Sequence, residues 1–327
     1  MLGFLVRRIL QMIPVLIAIS ALTFAIIQLP PGDYLTTYMA ELQMTGEAIH
    51  EAEIEALRQR YGLDRPILVQ YTMWITRAVR GDLGVSFEYN LPVSVLIWER
   101  IGLTVVISVL TLLFTWVVSF AVGVYSATRQ YSIGDYLATF AGFLGLATPN
   151  FMIALILMYA ANRFFGQSIG GLFSPAYVDE PWSFAKFVDM MGHMWVPVVV
   201  IGTSGTAALI RVLRANLLDE LNKPYVVTAK AKGISEFRLL FKYPVRVAII
   251  PFLATVGWTL PLIISGETIT SVVLGLPTAG PLLLRSLQTQ DMFLAGSFIL
   301  ILSVLTLIGT LISDLLLAWA DPRIRYE

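Results

Sequence analysis

The residues of this chain that are best suited to recognition chemistry lie in one basic segment, residues 211–246, which holds eight lysines and arginines against three acids. Its glycine and prolines predict two short helices, 225–232 and 236–243, joined by a tight turn. A punctuated, cationic and partly apolar unit of this kind favours docking of a partner's surface. The alternative is an ordinary charged loop whose apolar stripe lies in the membrane interface. About 35 residues with helices of their own are more than a simple connection requires, which favours docking.

Local chemistry assigns a role to individual residues of this segment. Asn222 is the predicted N-cap of the first short helix, and Pro224 is its first residue, where a missing N–H costs nothing. Gly233 is the predicted left-handed C-cap, and lysines in the preceding turn suit the helix dipole. The predicted apolar face of the second short helix consists of Phe237, Leu240 and Phe241.

A second group of chemically suggestive residues lies in an apolar run before residue 275. Glu267 is the one acid deep in a predicted membrane span, where an ionised carboxyl facing lipid costs about 2.5–3.5 kcal/mol. We expect it to line a translocation path, to bond to a neighbouring helix, or to lie near the outer interface. Pro261 predicts a kink in the same span, which suits a gate but is common in membrane helices.

Several chemistries are excluded by the residues that are missing. The chain has no cysteine and only two histidines, which excludes thiolate chemistry and gives no basis for a metal site. It has no phosphate-binding loop, since the dipeptide Gly-Lys does not occur, and no nucleophile motif. Its net charge of zero gives no bulk attraction to nucleic acid. We therefore predict no catalytic, cofactor-binding or metal site in this chain.

Composition places the chain in a membrane. It is 57% apolar and 13% charged, with a mean hydropathy of +0.76, whereas soluble domains carry about 25% charged residues. A helix needs about 20 apolar residues to cross a bilayer. Six segments qualify as spans, namely 9–29, 101–127, 136–162, 192–210, 247–274 and 293–319. The predicted fold class is an all-α polytopic membrane protein with six transmembrane helices.

Lysines and arginines near the ends of the spans predict the orientation. They fall on one side if the helices alternate, so both termini are predicted to be cytoplasmic. The predicted parts are a retained signal-anchor helix (1–29), an extracytoplasmic segment (30–97), and a five-helix core (98–327) that contains the basic segment. The first span is read as an anchor because its apolar run is longer than a signal peptide's and lacks a small-residue cleavage site.

Several motifs in a fixed order carry a resemblance to a known family. They are Tyr61–Tyr71 and Arg80–Ser86 in the outer segment, Pro149–Phe151 in the third span, Tyr225–Glu236 in the basic segment, and Asp321–Arg325 at the end. In these stretches the chain resembles the B-type inner-membrane permease of ATP-binding-cassette importers, in the dipeptide, oligopeptide and nickel group. The resemblance covers nearly the whole chain.

The resemblance implies a type I importer with several partners. They are a second permease that completes a heterodimeric pore, two cytoplasmic ATPases that hold ATP and Mg, an extracytoplasmic substrate-binding protein, and membrane lipid. The cargo would be peptides or similar solutes, with nickel, glutathione and oligosaccharides as alternatives, and the location a bacterial or archaeal cytoplasmic membrane. The first short helix would be the coupling helix in contact with one ATPase, through Tyr225, Thr228, Ala229, Lys232 and Gly233.

Two departures from the family pattern affect the expected site. Val227 stands where the group often has an arginine, so one ionic contact to the ATPase is absent. Ser271 stands where the group commonly has a glutamate, and Glu267 lies one helical turn earlier on the same face. The expected pathway residues are therefore Glu267, Ser271 and Pro261.

Two other classes of protein compete with the importer. An ion-coupled secondary transporter usually carries several intramembrane charges and internal repeats, whereas this chain has one candidate acid and no evident repeat. An intramembrane enzyme would need paired carboxylates, a histidine pair or a nucleophile motif, and the spans contain none of these. The sequence favours the importer subunit.

Overall fold

The computed structural model describes residues 2–29, 34–45, 54–56, 58–59, 62–166, 169–255 and 268–320. The helices are α1 (Leu2–Gln28), α2 (Tyr34–Thr45), α3 (Ile67–Val79), α4 (Val93–Thr128), α5 (Ile133–Ala147), α6 (Asn150–Phe165), α7 (Phe184–Leu221), α8 (Pro224–Ala231), α9 (Glu236–Lys242), α10 (Pro244–Ala254), α11 (Thr268–Leu274), α12 (Ala279–Gln288) and α13 (Met292–Ala320). A short 3₁₀ turn covers Pro175–Tyr177. The all-α class is confirmed.

Four of the described helices, α1, α4, α7 and α13, are long and apolar enough to cross a membrane. The number rises to six if each of two bent helix pairs counts as one span. The spans predicted over 9–29, 101–127, 192–210 and 293–319 therefore correspond to single helices. α4 and α7 extend beyond the predicted bounds by up to 11 residues at an end, because hydropathy marks the apolar part of a helix and not its polar ends.

The third predicted span, 136–162, is not one straight helix. α5 and α6 meet at an angle of 104°. Pro149 causes the break, since proline has no N–H to donate and holds the preceding residue in extended conformation, here Thr148 with φ −98° and ψ 122°. The backbone N–H and the hydroxyl of Thr148 both donate to the Leu144 carbonyl, at 3.1 and 2.8 Å. The end of α5 is thereby kept hydrogen-bonded, as an apolar environment requires.

The fifth predicted span, 247–274, is described only at its two ends, as α10 and α11. Pro261 and Glu267 lie outside the described residues. α12, which the sequence did not predict, follows α11 in the chain. The last carbonyl of α11, that of Leu274, accepts a hydrogen bond from the Gly171 N–H at 2.6 Å.

The chain divides into two compact units, Met1–Leu103 with Thr278–Leu307, and Thr104–Pro277 with Ile308–Glu327. The core of the first unit is built around Trp74 of α3, which is 2% exposed. Phe24 of α1 and Met292 of α13 belong to the same buried cluster. The hydroxyls of Ser20 and Tyr71 lie 2.9 Å apart and join α1 to α3.

A fully buried carboxylate, Asp291, fastens the turn before α4 to the start of α13. Its Oδ2 accepts hydrogen bonds from the Ser86 hydroxyl at 2.5 Å and from the Phe87 and Glu88 N–H groups at 2.8 and 3.3 Å. Its Oδ1 accepts from the Leu294 N–H at 3.1 Å, which makes Asp291 the N-cap of α13. No local sequence pattern predicts the contact with residues 86–88, because they lie more than 200 positions from Asp291.

The same turn explains a glycine of the Arg80–Ser86 motif. Gly84 has φ +81°, and a Cβ there would lie 3.1 Å from the Phe293 ring. Both the backbone conformation and the close approach of the aromatic ring therefore require glycine. Arg285 adds an ion pair to Glu88 at 2.7 Å.

We predict that Asp291→Ala destabilises the first unit. Removing the carboxylate leaves the Ser86 hydroxyl and three N–H groups without their acceptor, which costs about 2 kcal/mol or more. The apparent Tm in detergent, followed by tryptophan fluorescence, should fall by about 4 °C or more. Asp64→Ala, at an exposed position, is the matched control and should change the Tm by about 1 °C or less. Equal melting of the two variants would contradict this assignment.

Candidate functional site

The basic segment folds as predicted into two short helices, α8 and α9, with one difference at the first cap. The N-cap of α8 is Lys223, not Asn222, because Pro224 takes the first helical position and holds the preceding residue extended. Asn222 instead completes α7 by donating its side-chain N–H to the Leu218 carbonyl at 2.9 Å.

The turn between α8 and α9 depends on Gly233. Its φ is +74°, the left-handed conformation predicted for this position, and its N–H donates to the Lys230 carbonyl at 3.0 Å. A Cβ at Gly233 would meet nothing within 4 Å, so the requirement for glycine is one of backbone conformation and not of space.

The inner faces of α8 and α9 pack on each other. Val226 and Ala229 of α8 are 5% and 6% exposed, and they form a buried cluster with Leu239 of α9. The predicted apolar face of α9 is therefore partly wrong: Leu239 lies inward, whereas Phe237 is 76% exposed and packs against Phe241, with ring centroids 4.7 Å apart and the rings tilted by 45°. Two aromatic rings that cover each other reduce the cost of this exposure.

α9 also joins the short helices to the long ones. Leu240 packs on a buried cluster that includes Leu217 of α7, Val245 and Phe252 of α10. The Phe241 and Phe120 rings lie 6.4 Å apart, which adds a contact to α4. α9 thus packs against three helices of the second unit, namely α4, α7 and α10.

The outer face of α8 and the turn after it are exposed. Tyr225, Thr228, Lys232 and Gly233 of the predicted site lie on this surface, which we name the outer α8 face. Ala229, the fifth predicted residue, lies on the inner face and therefore supports the surface from beneath. Exposed cations surround the outer α8 face, namely Lys223, Lys230, Arg238, Lys242 and Arg246.

One hydrogen bond fixes α8 relative to the end of α7. The Tyr225 hydroxyl donates to a carboxylate oxygen of Glu220. Burial and this bond raise the pKa of Tyr225 to about 12, so the phenol is neutral and able to donate at any physiological pH. By contrast, Lys230 and Glu236 are both strongly exposed and 4.0 Å apart, and a pair of this kind contributes little.

An ion pair with a buried carboxylate, which sequence reasoning missed, joins α7 to the start of α5. Arg214 donates to both oxygens of Asp135, at 3.1 and 2.9 Å, and Asp135 is 2% exposed. Asp135 also accepts the Tyr131 N–H at 2.9 Å, and its own N–H donates to the Ser132 hydroxyl at 3.2 Å. The spacing of Ser132 and Asp135 is that of a capping box, which was the available signal. The ring of Phe143 lies under the Arg211 guanidinium at 5.2 Å.

Of the expected pathway residues, only Ser271 is among those described. It lies on α11 and is fully buried, and its hydroxyl has no hydrogen-bond partner in the described part of the chain. A buried hydroxyl without a partner is costly, and this marks Ser271 for testing.

Comparisons with known proteins identify the family. Residues 119–326 match the profile of the binding-protein-dependent transport system inner membrane component, and residues 1–110 match that of the N-terminal part of such membrane components. The chain belongs to this family.

Individual relatives match the chain over its full length. The chain is 35% identical over 327 residues to the oligopeptide transport system permease protein AppB of Bacillus subtilis. It is 30% identical over 345 residues to the dipeptide transport system permease protein DppB of Alkalihalophilus pseudofirmus, and 28% identical over 347 residues to DppB of Escherichia coli K12. Each alignment covers the whole of both chains. The resemblance drawn from the motifs is confirmed, and the protein is a multi-pass inner-membrane permease and not an enzyme.

We predict that Gly233→Val loosens the α8–α9 turn of the permease. A β-branched residue in the left-handed conformation costs about 1–2 kcal/mol, which should raise the population of the locally open turn about tenfold. The readout is the rate of limited tryptic cleavage after Lys230 and Lys232. Gly233→Asn is the matched control, because asparagine tolerates this conformation, and it should be cleaved at nearly the wild-type rate. Equal cleavage of Gly233→Val and wild type would remove the conformational role of Gly233.

Proposed function

We propose that this permease is one of two membrane subunits of an ATP-driven importer of peptides. A second permease completes the translocation path, two cytoplasmic ATPases hold ATP and Mg, and an extracytoplasmic substrate-binding protein delivers the cargo. The observation that carries the proposal is the α8–α9 pair, which exposes a cationic face on one side and is packed into the bases of α4, α7 and α10 on the other.

The outer α8 face has the properties that docking on an ATPase requires. Tyr225, Val227 and Thr228 offer a small, mixed surface, and the surrounding cations suit an acidic cleft. The side chain of Thr228 bonds to its own helix, at 2.9 Å from the Pro224 carbonyl, so it presents its methyl group without an unpaired hydroxyl. Val227 replaces the arginine common in the group, which leaves shape and apolar contact to supply more of the affinity.

Alternating access follows from this arrangement. Closure of the two ATPases on ATP would displace the outer α8 face, and the buried contacts of Leu239 and Leu240 would pass the displacement to α7 and α10. The bundle would then open outward to receive cargo, and hydrolysis would return it inward. Glu267, Ser271 and Pro261 are the residues that we propose for the path.

Peptides are the proposed cargo because the relatives are named as oligopeptide and dipeptide transport permeases. Nickel, glutathione and oligosaccharides are the alternatives within the group.

We propose a bacterial or archaeal cytoplasmic membrane as the location, with both termini on the cytoplasmic side and residues 30–97 outside.

The proposed function predicts peptide uptake that depends on ATP. The tagged permease is purified from its native membranes with its associated subunits and reconstituted in liposomes with the binding protein outside. A labelled peptide should accumulate only when ATP is present in the lumen, and a protonophore should leave the rate unchanged. Uptake by the permease alone under a proton gradient would instead make it a secondary transporter.

The bond between Tyr225 and Glu220 predicts a loss of coupling in Tyr225→Phe. Without this bond, α8 is held less firmly to α7, and the peptide moved per ATP hydrolysed should fall about two- to fivefold. Because the pKa of Tyr225 is raised from 10.0 to about 12, the stabilisation is fully present below the unfolded pKa of the phenol and is lost as the pH rises from there through about 12. The difference between the two proteins should therefore be constant from pH 6 to 9.

Tyr243→Phe is the matched control, since the Tyr243 ring packs on the inner cluster of the same unit. A Tyr243→Phe variant that loses as much coupling as Tyr225→Phe would contradict the role given to the bond.

A further inference from the structure

A cavity of about 310 Å³ in the first unit is lined by residues that have no role in the proposed function. One wall is a face of α3, on which Gln70, Trp74 and Arg77 follow each other at helical spacing. Arg65, just before α3, also lines the cavity, and Met73 adds apolar surface. The cavity thus combines two guanidinium groups with a floor of tryptophan and thioether.

The two guanidinium groups are available to a ligand. Arg65 and Arg77 are both exposed, and among the described residues neither has a carboxylate within 4.0 Å. Asp82 lines the same cavity, but one of its oxygens accepts the Gly84 N–H at 3.0 Å instead. Among the described residues, the only hydrogen bond of the Arg65 side chain is a weak one, to the Met73 sulfur at 3.2 Å.

The backbone around these cations is fixed in advance. The Gln70 side chain donates to the Arg65 carbonyl at 2.8 Å and thereby holds the approach to α3 in place. Trp74, the floor, is 2% exposed and its ring nitrogen points to the Ser297 hydroxyl at 3.5 Å. A ligand would therefore order two side chains and not a loop, which lowers the entropic cost of binding.

The chemistry of the lining selects the ligand. A guanidinium group presents a planar fork of donors that matches a carboxylate. The cavity is at the small end of ligand sites, which run from about 300 to 1,000 Å³, so it takes one or two side chains and not a whole peptide. Arginine, tryptophan and methionine side by side are typical of protein–protein contacts.

The charge of the surrounding segment points to the same partner. The described residues from 58 to 82 carry four arginines against two aspartates. The predicted outer segment 30–97 as a whole carries nine acids against five bases, and all five bases fall between residues 58 and 80, so the cations are concentrated around the cavity. A partner with an acidic surface on the outer side would be attracted to this local cluster.

We propose that this arginine cavity receives an acidic side chain of the extracytoplasmic substrate-binding protein when that protein docks on the permease. The inference rests on the proposed function, which supplies the binding protein. Arg65 and Arg77 pair with the carboxylate, and Met73 contacts the neighbouring apolar surface.

The test measures how tightly the binding protein isolated with the transporter binds the transporter in nanodiscs, at low and at high salt. The double variant Arg65→Gln/Arg77→Gln should bind about tenfold more weakly at low salt and should depend less on salt than wild type. Arg80→Gln is the matched control, since Arg80 is an exposed arginine of the same segment outside the cavity, and it should bind within about twofold of wild type. Unchanged melting of the double variant shows that the fold is intact.

The remaining outcomes separate this inference from its competitors. Equal binding of the double variant and wild type at both salt concentrations would overturn it. A loss seen only in nanodiscs of anionic lipid would assign the cavity to lipid headgroups, and a loss seen only with peptide-loaded binding protein would assign it to the cargo's carboxylate. A wild-type transporter that binds no such protein would refute the proposed function as well, whereas ATP-driven uptake with unimpaired docking of the double variant would refute this inference alone.

Discussion

The packing of α9 against the ends of α7 and α10 is the contact on which the order of both short helices depends. A short helix such as α8, with eight residues, is not stable alone in water, because helix nucleation is unfavourable. Its order comes from Val226 and Ala229, which are buried on Leu239, and the order of α9 comes in turn from Leu240 on the cluster around Leu217. Interiors are close-packed and have low compressibility, so a displacement at the exposed surface is passed on and not absorbed.

The two bent helix pairs follow from a different constraint, which is that backbone polar groups in a membrane must be bonded within the protein. The sharp turn at Pro149 is tolerated because Thr148 supplies two donors to the Leu144 carbonyl. At the end of α11, the Leu274 carbonyl accepts a hydrogen bond from the N–H of Gly171. Each break therefore carries its own hydrogen-bond partners, and that allows non-helical backbone at these points.

Sequence reasoning succeeded where one residue determines its own backbone conformation. Pro224 and Gly233 were placed correctly because proline fixes φ and glycine tolerates the left-handed region, whatever the tertiary environment. The outward side of Phe237 was missed, since a seven-residue helix gives too few turns for spacing to tell which apolar residue meets the core.

The missed polar contacts share a physical cause. Asp135 and Asp291 are buried acids that bond to partners 79 and about 205 positions away, and no local pattern announces such a distance. α12 was missed because it is ten residues long and amphipathic, which is too short for a span and too apolar for a loop. Capping signals at Ser132 and before Leu294 were present in the sequence, but they identify a helix start and not the distant group that the carboxylate holds.

The two cationic surfaces of the permease differ in how their charges are held, and this difference suits two kinds of contact. The lysines around the outer α8 face are exposed and paired weakly, as Lys230 with Glu236 shows, so they attract a partner over a distance without fixing its orientation. Orientation at that face comes from the packed helices beneath it and from the Glu220 bond of Tyr225. In the arginine cavity, by contrast, the cations are guanidinium groups beside a rigid tryptophan, which favour one geometry of approach. In the proposed importer, a broad packed contact would suit the ATPase, which stays bound, and a small, salt-sensitive contact would suit a binding protein that is released in every cycle.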